Sequence, residues 1–381
     1  MIHHLSQYMH RIAAGCITAT RITATICACV LALYGAPTAL ASDATPQTGA
    51  IAAPTQVPHI ALLLPVNSKI FGRHATALRD GFRAAAKAQS RTPIPVREYA
   101  VSENVANVLE GYRAAVAAGA QVIVGPLTRD AVTALAFGEP VPVPTLALNV
   151  PDNTGRNPGN LYLLSLQIET EARQVAQIAW RDGRRTAVTL NGGSPVERRM
   201  QAAFAGEFMR LGGRVATDVA YAPDPDKLKA ITRSGSAADM YFLALGYTEA
   251  RIVRSFLGAT PIYATSGVHA GDQGPLAGFD LAGVNFVDMP WLLEPNHAAV
   301  MVYARSKPLA SMDLERFYAL GIDAWRIAQL LLSGAREIRL DGVTGQLTLG
   351  ADGHIERELV AGRYSEGRPL ATDPAPREPA R

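Results

Sequence analysis

Cysteine is scarce in this chain: its 381 residues hold three, Cys16, Cys27 and Cys29, all near the N-terminus. Beyond residue 29 there is none, which excludes disulfides, a thiol nucleophile and cysteine-based metal sites from that part. Long apolar runs are also missing after residue 41, so no membrane-spanning helix is expected there. Excess charge of one sign is missing too. The formal net charge is +3 and no basic run or basic–aromatic stripe stands out, which argues against nucleic-acid binding. Catalytic signatures fare no better. The histidines after residue 41 (His59, His74, His269, His297, His354) are scattered without an H-x-x-x-H pair, so no metal site is expected. There is no G-x-S-x-G elbow, and "NGGSPVE" lacks the spacing of a phosphate-binding loop. Asp272, Asp280 and Asp288 are read as solvated loop residues rather than acid–base groups. No catalytic residue, metal or cofactor is assigned.

What is present fits a soluble globular protein: 48% apolar and 18% charged residues, on a chain long enough for two domains. Residues 1–41 carry Arg11 and Arg21 but no Lys, Asp or Glu, then an apolar stretch ending Ala39-Leu40-Ala41. That is the pattern of a secretory signal peptide, so export to the periplasm is expected. "AAGC" at Cys16 is a poor lipidation site because almost no apolar core precedes it, and "ICAC" at Cys29 is a weaker match still. Residues 42–57 read as a linker and 366–381 as a disordered tail.

Between these ends, short apolar strands alternate with amphipathic helices. "HIALLLP" (59–65) is apolar throughout, as a strand buried on both faces should be. Strands are also expected near 95–101, 121–124, 144–149, 161–166, 186–191, 215–221, 240–245, 261–265 and 284–292. The predicted helices include 73–89, one capped by Ser102, one from Asp130, and 169–182. Ser194-Pro195-Val196-Glu197 forms a capping box with proline at the first helical position. A long helix is expected at 313–333, capped by Asp313, with Leu314, Phe317, Gly321, Ala324, Trp325, Ala328 and Leu331 on one face. Asp352-Gly353 sits between two alternating segments, as in a hairpin. Two such series of strand–helix–strand units predict an α/β fold of two doubly wound, Rossmann-like lobes.

Six segments, in order, carry a family resemblance: "IVGPLTRDAV", "LALNVPDN", "LYLLSLQIETEARQVAQIAW", "VNFVDMPWL", "FYALGIDAWRIAQLLL" and "LDGVTGQLTLGADGHIERELVAGRY". From about 59 to 365 the chain resembles the C-terminal domain of the LpoA/LppC lipoprotein family, activators of class A penicillin-binding proteins. The resemblance implies a type 1 periplasmic binding protein fold, with a cleft between two lobes. It places lobe one at 58–166 plus 294–340 and lobe two at 167–293 plus 341–365. It also implies a class A penicillin-binding protein as partner, and outer-membrane association. The family's helical tetratricopeptide-like domain is expected to be replaced here by the short linker.

Ligands of open parallel sheets sit beyond the strand carboxyl ends. The candidate cleft residues are therefore Asn67, Ser68, Pro126, Leu127, Thr128 and Asn149 from lobe one. Asn191, Gly192, Gly246 and Tyr247 face them from lobe two, with Trp291 near a hinge crossing. These neutral donors and helix-start N–H groups suit a small polar or anionic ligand. Each also has a plain structural reading as a turn or loop closure. The alternative function is thus the solute-binding component of an ABC transporter, although no acidic partner for Thr128 lies in register for gripping an amino acid.

Overall fold

The computed structural model describes residues 56–89, 94–152, 155–234, 238–271, 273, 276–303 and 309–372. The expected signal peptide, most of the linker and the end of the tail lie outside them.

The chain opens with β1 (His59–Leu64), α1 (Gly72–Ala88), β2 (Val96–Ala100), α2 (Val105–Ala117), β3 (Ala120–Val124), α3 (Arg129–Gly138), β4 (Thr145–Ala147) and β5 (Leu161–Leu163). These five strands form one parallel sheet in the order β2-β1-β3-β4-β5. The next series is α4 (Ile168–Arg181), β6 (Thr186–Asn191), α5 (Pro195–Arg210), β7 (Arg214–Ala220), α6 (Pro225–Ser234), β8 (Met240–Ala244), α7 (Tyr247–Arg254), β9 (Ile262–Ala264) and β10 (Val284–Asp288). Its strands repeat the same order, β7-β6-β8-β9-β10, all parallel. This is the flavodoxin-like arrangement, twice over. After α8 (Pro290–Leu293), α9 (Ala298–Met301) and the long α10 (Met312–Leu332) come β11 (Arg339–Asp341), β12 (Gln346–Leu349) and β13 (Ile355–Glu358). These three make a small antiparallel sheet. Finally β14 (Val360–Ser365) and β15 (Arg368–Ala371) add antiparallel to β10.

Local signals explain most boundaries. All six residues of β1 are buried, which accounts for its lack of alternation. The Ser194 capping box is present with both reciprocal bonds. Ser194→Ala is expected to lower stability by about 1 kcal/mol, read as a drop in urea midpoint.

Four expectations are corrected. The second helix is capped by Asn104, whose side chain accepts from Asn107 N–H. Ser102 is instead engaged by the Asn107 side chain. Ser311, not Asp313, caps α10. The strand expected over 284–292 ends at Asp288, because Pro290 starts a helical turn that carries Trp291. Part of the tail expected to be disordered is ordered: β15 pairs with β14 over Gly362–Ser365.

The α1–α10 pair forms the back of the first sheet's core. Phe82 meets Trp325 edge to face at 5.2 Å, and Trp325 Nε1 donates to Gln89 Oε1 at 2.9 Å. Phe204 stacks between Phe208 and Phe242 at the centre of the second core.

Candidate functional site

Each sheet reverses its strand order beside its first strand, and the crevice beyond the strand tips opens at that reversal. It falls between β1 and β3 in the first sheet and between β6 and β8 in the second. The chain just past these tips includes most of the sequence-predicted residues.

On the first sheet, Asn67 is exposed, and its N–H donates to Val101 O. Ser68 is buried, and its Oγ accepts from Ile70 and Phe71 N–H, tying the turn into α1. Gly125 has φ +112°, and a Cβ there would lie 2.0 Å from Leu63 O, so only glycine fits. Pro126 and Leu127 are buried, and their carbonyls accept from Leu148 N–H and Asn149 Nδ2. Asn149 thereby ties the β4 tip to the β3 tip. Thr128 stands at the N-terminus of α3 and is 92% buried by its 8% exposure, yet its Oγ1 has no hydrogen-bond partner among the described residues.

On the second sheet, Asn191 is spent internally. Its Nδ2 donates to Gln201 Oε1 at 2.7 Å and its Oδ1 accepts from Gly193 N–H at 2.9 Å. Gly192 is exposed. Gly246 caps α7, and Tyr247 lies half-buried with the Arg251 guanidinium over its ring at 5.3 Å. Trp291 does not belong with them. It is buried, tilts against Tyr318, and donates Nε1–H to Glu315 Oε2 at 2.9 Å.

Arg129, following the β3 tip, pairs with Asp152 at 3.3 Å. Glu169 opens α4 and pairs with Arg199 at 2.8 Å. Burial works to raise the Glu169 carboxyl, but the Arg199 hydrogen bond and the charges of Arg199 and Arg129 hold it below its ordinary value.

Sequence reasoning missed the charged network at the far side of the second sheet's tips. Asp288, expected in a solvated loop, is 1% exposed at the end of β10. Arg316, from α10, grips it with Nε at 3.2 Å and Nη2 at 2.8 Å. The same Nη2 donates to the carbonyls of Ser266 and His269, and Nη1 to Asp313. His269 Nδ1–H donates to Asp288 Oδ2 at 2.8 Å. Next to this, buried Glu171 accepts from Ser266 N–H at 3.2 Å and pairs with Arg357 at 3.4 Å. Burial pushes the Glu171 carboxyl up, against the pull of Arg357. Asp323 of α10, also fully buried, accepts from Val343 N–H, Thr344 N–H, Thr344 Oγ1 and Arg326. Its carboxyl too is raised by burial. The helix that packs on the first sheet's α1 is thus tied through buried carboxylates to the tips of the second sheet and to the β11–β12 turn at 343–344. Apart from the i,i+3 pairs Arg316–Asp313 and Arg326–Asp323, no spacing signal marked these partners, since Arg316 and Asp288 lie 28 residues apart and Glu171 and Arg357 lie 186 apart. Of the three aspartates, Asp280 is a surface partner of Arg251, and Asp272 lies outside the described residues.

Among the described residues, no group of three or more His, Cys, Asp or Glu side chains is placed to hold a metal ion. None of the described helices is long and apolar enough to cross a membrane.

A family model described as "LppC putative lipoprotein" matches residues 50–234 and 226–367. The chain is 28% identical over 328 residues to the penicillin-binding protein activator LpoA of Pasteurella multocida, covering 82% of this chain and 54% of that one. It is 28% identical to LpoA of Haemophilus influenzae, covering 82% and 55%. The chain therefore spans about half the length of the curated relatives it matches. Among solved structures it superposes on the LpoA (YraM) C-domain of H. influenzae, a regulator of PBP1A. There the TM-score is 0.69 and identity 25%, over 82% of this chain and 99% of that one. It also superposes on a "putative branched-chain amino acid ABC transporter" from Chromobacterium violaceum, with TM-score 0.70 and 40% identity over 80% and 99%. The fold is that of type 1 periplasmic binding proteins, two doubly wound lobes with a cleft between them.

Proposed function

The chain belongs to the LppC lipoprotein family, and from that premise we propose that it is a non-catalytic periplasmic regulator. It binds a class A penicillin-binding protein and raises its peptidoglycan-synthesising activity. In this reading the lobes are 58–166 plus 294–340 and 167–293 plus 341–365, and the protein works at the outer-membrane side of the periplasm. The observation that carries the proposal is the match to activators along both lobes, together with a cleft whose polar side chains are mostly spent inside the protein. Ser68, Asn149 and Asn191 each hold a local turn or neighbour. Regulation of an enzyme by a bound protein requires different affinities for its active and inactive states. The expected result is that a purified class A penicillin-binding protein from the same cell polymerises glycan faster with the chain present. An unchanged rate at saturating chain overturns the proposal.

One observation favours a second reading, as the solute-binding component of an ABC transporter. Thr128 Oγ1 is buried and unpartnered at a helix start, and the relative from C. violaceum carries a transporter description. Under this reading, leucine at about 100 times its Kd would stabilise the protein by about 2.7 kcal/mol, and Thr128→Val would remove the effect. No change in melting temperature with leucine, isoleucine or valine would leave the regulator reading standing alone.

A further inference from the structure

The β12–β13 hairpin leaves part of a strand edge open. In an antiparallel ladder, directly opposed residues alternate between bonded and non-bonded pairs. Gly350 N–H bonds His354 O at 2.7 Å. By the ladder register, Thr348 with Glu356 and Gln346 with Glu358 are then the bonded pairs. Ile355, Arg357 and Leu359 therefore turn their backbone groups away from β12.

What meets them changes along the edge. At one end Leu163 forms a parallel bridge at His354, with its N–H on Gly353 O at 2.9 Å. At the other end the Gln174 amide, from α4, stands in for a neighbouring strand. Its Nε2 donates to Leu359 O at 2.8 Å, and its Oε1 accepts from Leu359 N–H at 3.0 Å. Between these ends, the Arg357 N–H and C=O meet no partner among the described residues. The Arg357 Nε is buried and unpartnered as well.

This stretch borders a cavity of about 710 Å3. The cavity opens where the chain leaving β5 (Ser165, Gln167) diverges from β13, and α4 forms its other wall through Thr170, Arg173 and Gln177. Unlike the strand-tip crevice, it includes none of the cleft residues predicted from sequence. From Ile355 to Leu359 the edge runs roughly 13 Å at ~3.3 Å per residue. That length takes about four residues of extended chain, and the volume is that of an ordinary ligand pocket.

We propose that this groove is a peptide-binding site, in which an extended polypeptide segment adds to β13 as a short extra strand. The segment's carbonyl takes the Arg357 N–H and its N–H bonds the Arg357 carbonyl, repeating what the Gln174 amide does at Leu359. Main-chain bonds of this kind supply affinity, and flanking side chains supply selectivity. Basic Arg173 from the helix wall and acidic Glu356 from the strand both line the groove, so the segment carries both signs of charge. We assign it to the class A penicillin-binding protein; that partner, though not the groove's preference for peptide, rests on the function proposed above.

The test is residue-resolved amide exchange by NMR on the chain as it stands. In the free protein, Arg357 N–H exchanges at least tenfold faster than Glu356 and Glu358, which bond β12. Addition of the purified synthase slows Arg357 exchange tenfold or more. Gln177→Trp, which fills the groove from an exposed position, weakens synthase binding at least tenfold, whereas Gln177→Ala, which gives up the same hydrogen bond to Glu207, does not. Thr170→Trp weakens it likewise from the other end of the wall. Synthase binding that leaves Arg357 exchange unaltered, or that both tryptophan variants tolerate, overturns the groove while sparing the regulator reading. If the synthase does not bind at all, a pool of N-acetylated, C-amidated random hexapeptides is the probe. Protection of Arg357 by the pool upholds the groove and sinks the regulator reading, and no protection by the pool overturns the groove.

Discussion

Arg316→Met is expected to lower the free energy of unfolding by about 3–5 kcal/mol, the cost of leaving a buried carboxylate without its cation. Asp288 is 1% exposed and loses both guanidinium bonds in this variant. The carbonyls of Ser266 and His269 lose a donor at the same time. The urea midpoint falls while the slope holds. Adding Asp288→Asn to Arg316→Met recovers part of the loss, because no ion then remains stranded in the interior. A double variant no more stable than Arg316→Met would mean that packing, not charge, sets the cost.

The same pair sets an acid limb. Burial works against the Asp288 carboxylate, but Arg316 and His269 outweigh it and bring its pKa to about 2, from an ordinary 3.8. A carboxyl depressed in the folded state contributes stability above its ordinary pKa and loses it as pH falls through the folded one. The contribution is therefore full above pH 3.8 and fades towards about 2. Glu171 has the opposite sign: burial raises its pKa, so its protonation favours the folded state as pH falls. In Arg316→Met the Asp288 depression is lost, and stability against pH flattens at the acid end.

Gly321→Ala is expected to cost about 2 kcal/mol net. A Cβ on Gly321 would lie 1.9 Å from Leu78 O and 2.8 Å from Phe82 N, both main-chain atoms of α1. Backbone cannot rotate aside, so α1 and α10 must separate, at a cost near the ~3 kcal/mol upper end of ordinary overpacking. Alanine's better helix propensity returns about 1 kcal/mol. Gly81 makes the reciprocal contact, 1.9 Å from Tyr318 O. Gly81→Ala and Gly321→Ala together should cost less than their sum, since one separation relieves both. Strict additivity in thermal or urea unfolding would show that the two glycines do not share a contact.

The order of strands and helices was legible because each is announced by nearby residues: an unbroken apolar run for β1, a capping box for α5, one apolar face for α10. Errors came where two local signals compete. Ser102 and Asn104 are both good caps, and the Asn107 side chain decides between them. Trp291 follows strand-like residues, but Pro290 redirects the chain. The strand-tip positions were found from topology, yet which of their polar atoms remain unspent was not. Asn191 is used by Gln201, ten residues away across a loop, while Thr128 Oγ1 is left without a partner.

By itself, then, the amino-acid order determined the alternating α/β plan, the turn chemistry and the family, since these rest on periodicity and on neighbours a few residues apart. Only the folded chain decided which charges are buried together and which strand edge stays open. Arg316 and Asp288, Arg357 and Glu171, Gln174 and Leu359 meet across 28 to 186 residues of chain. Nothing in a stretch of sequence encodes such a meeting until the sheets and α10 have packed and set those side chains within bonding distance.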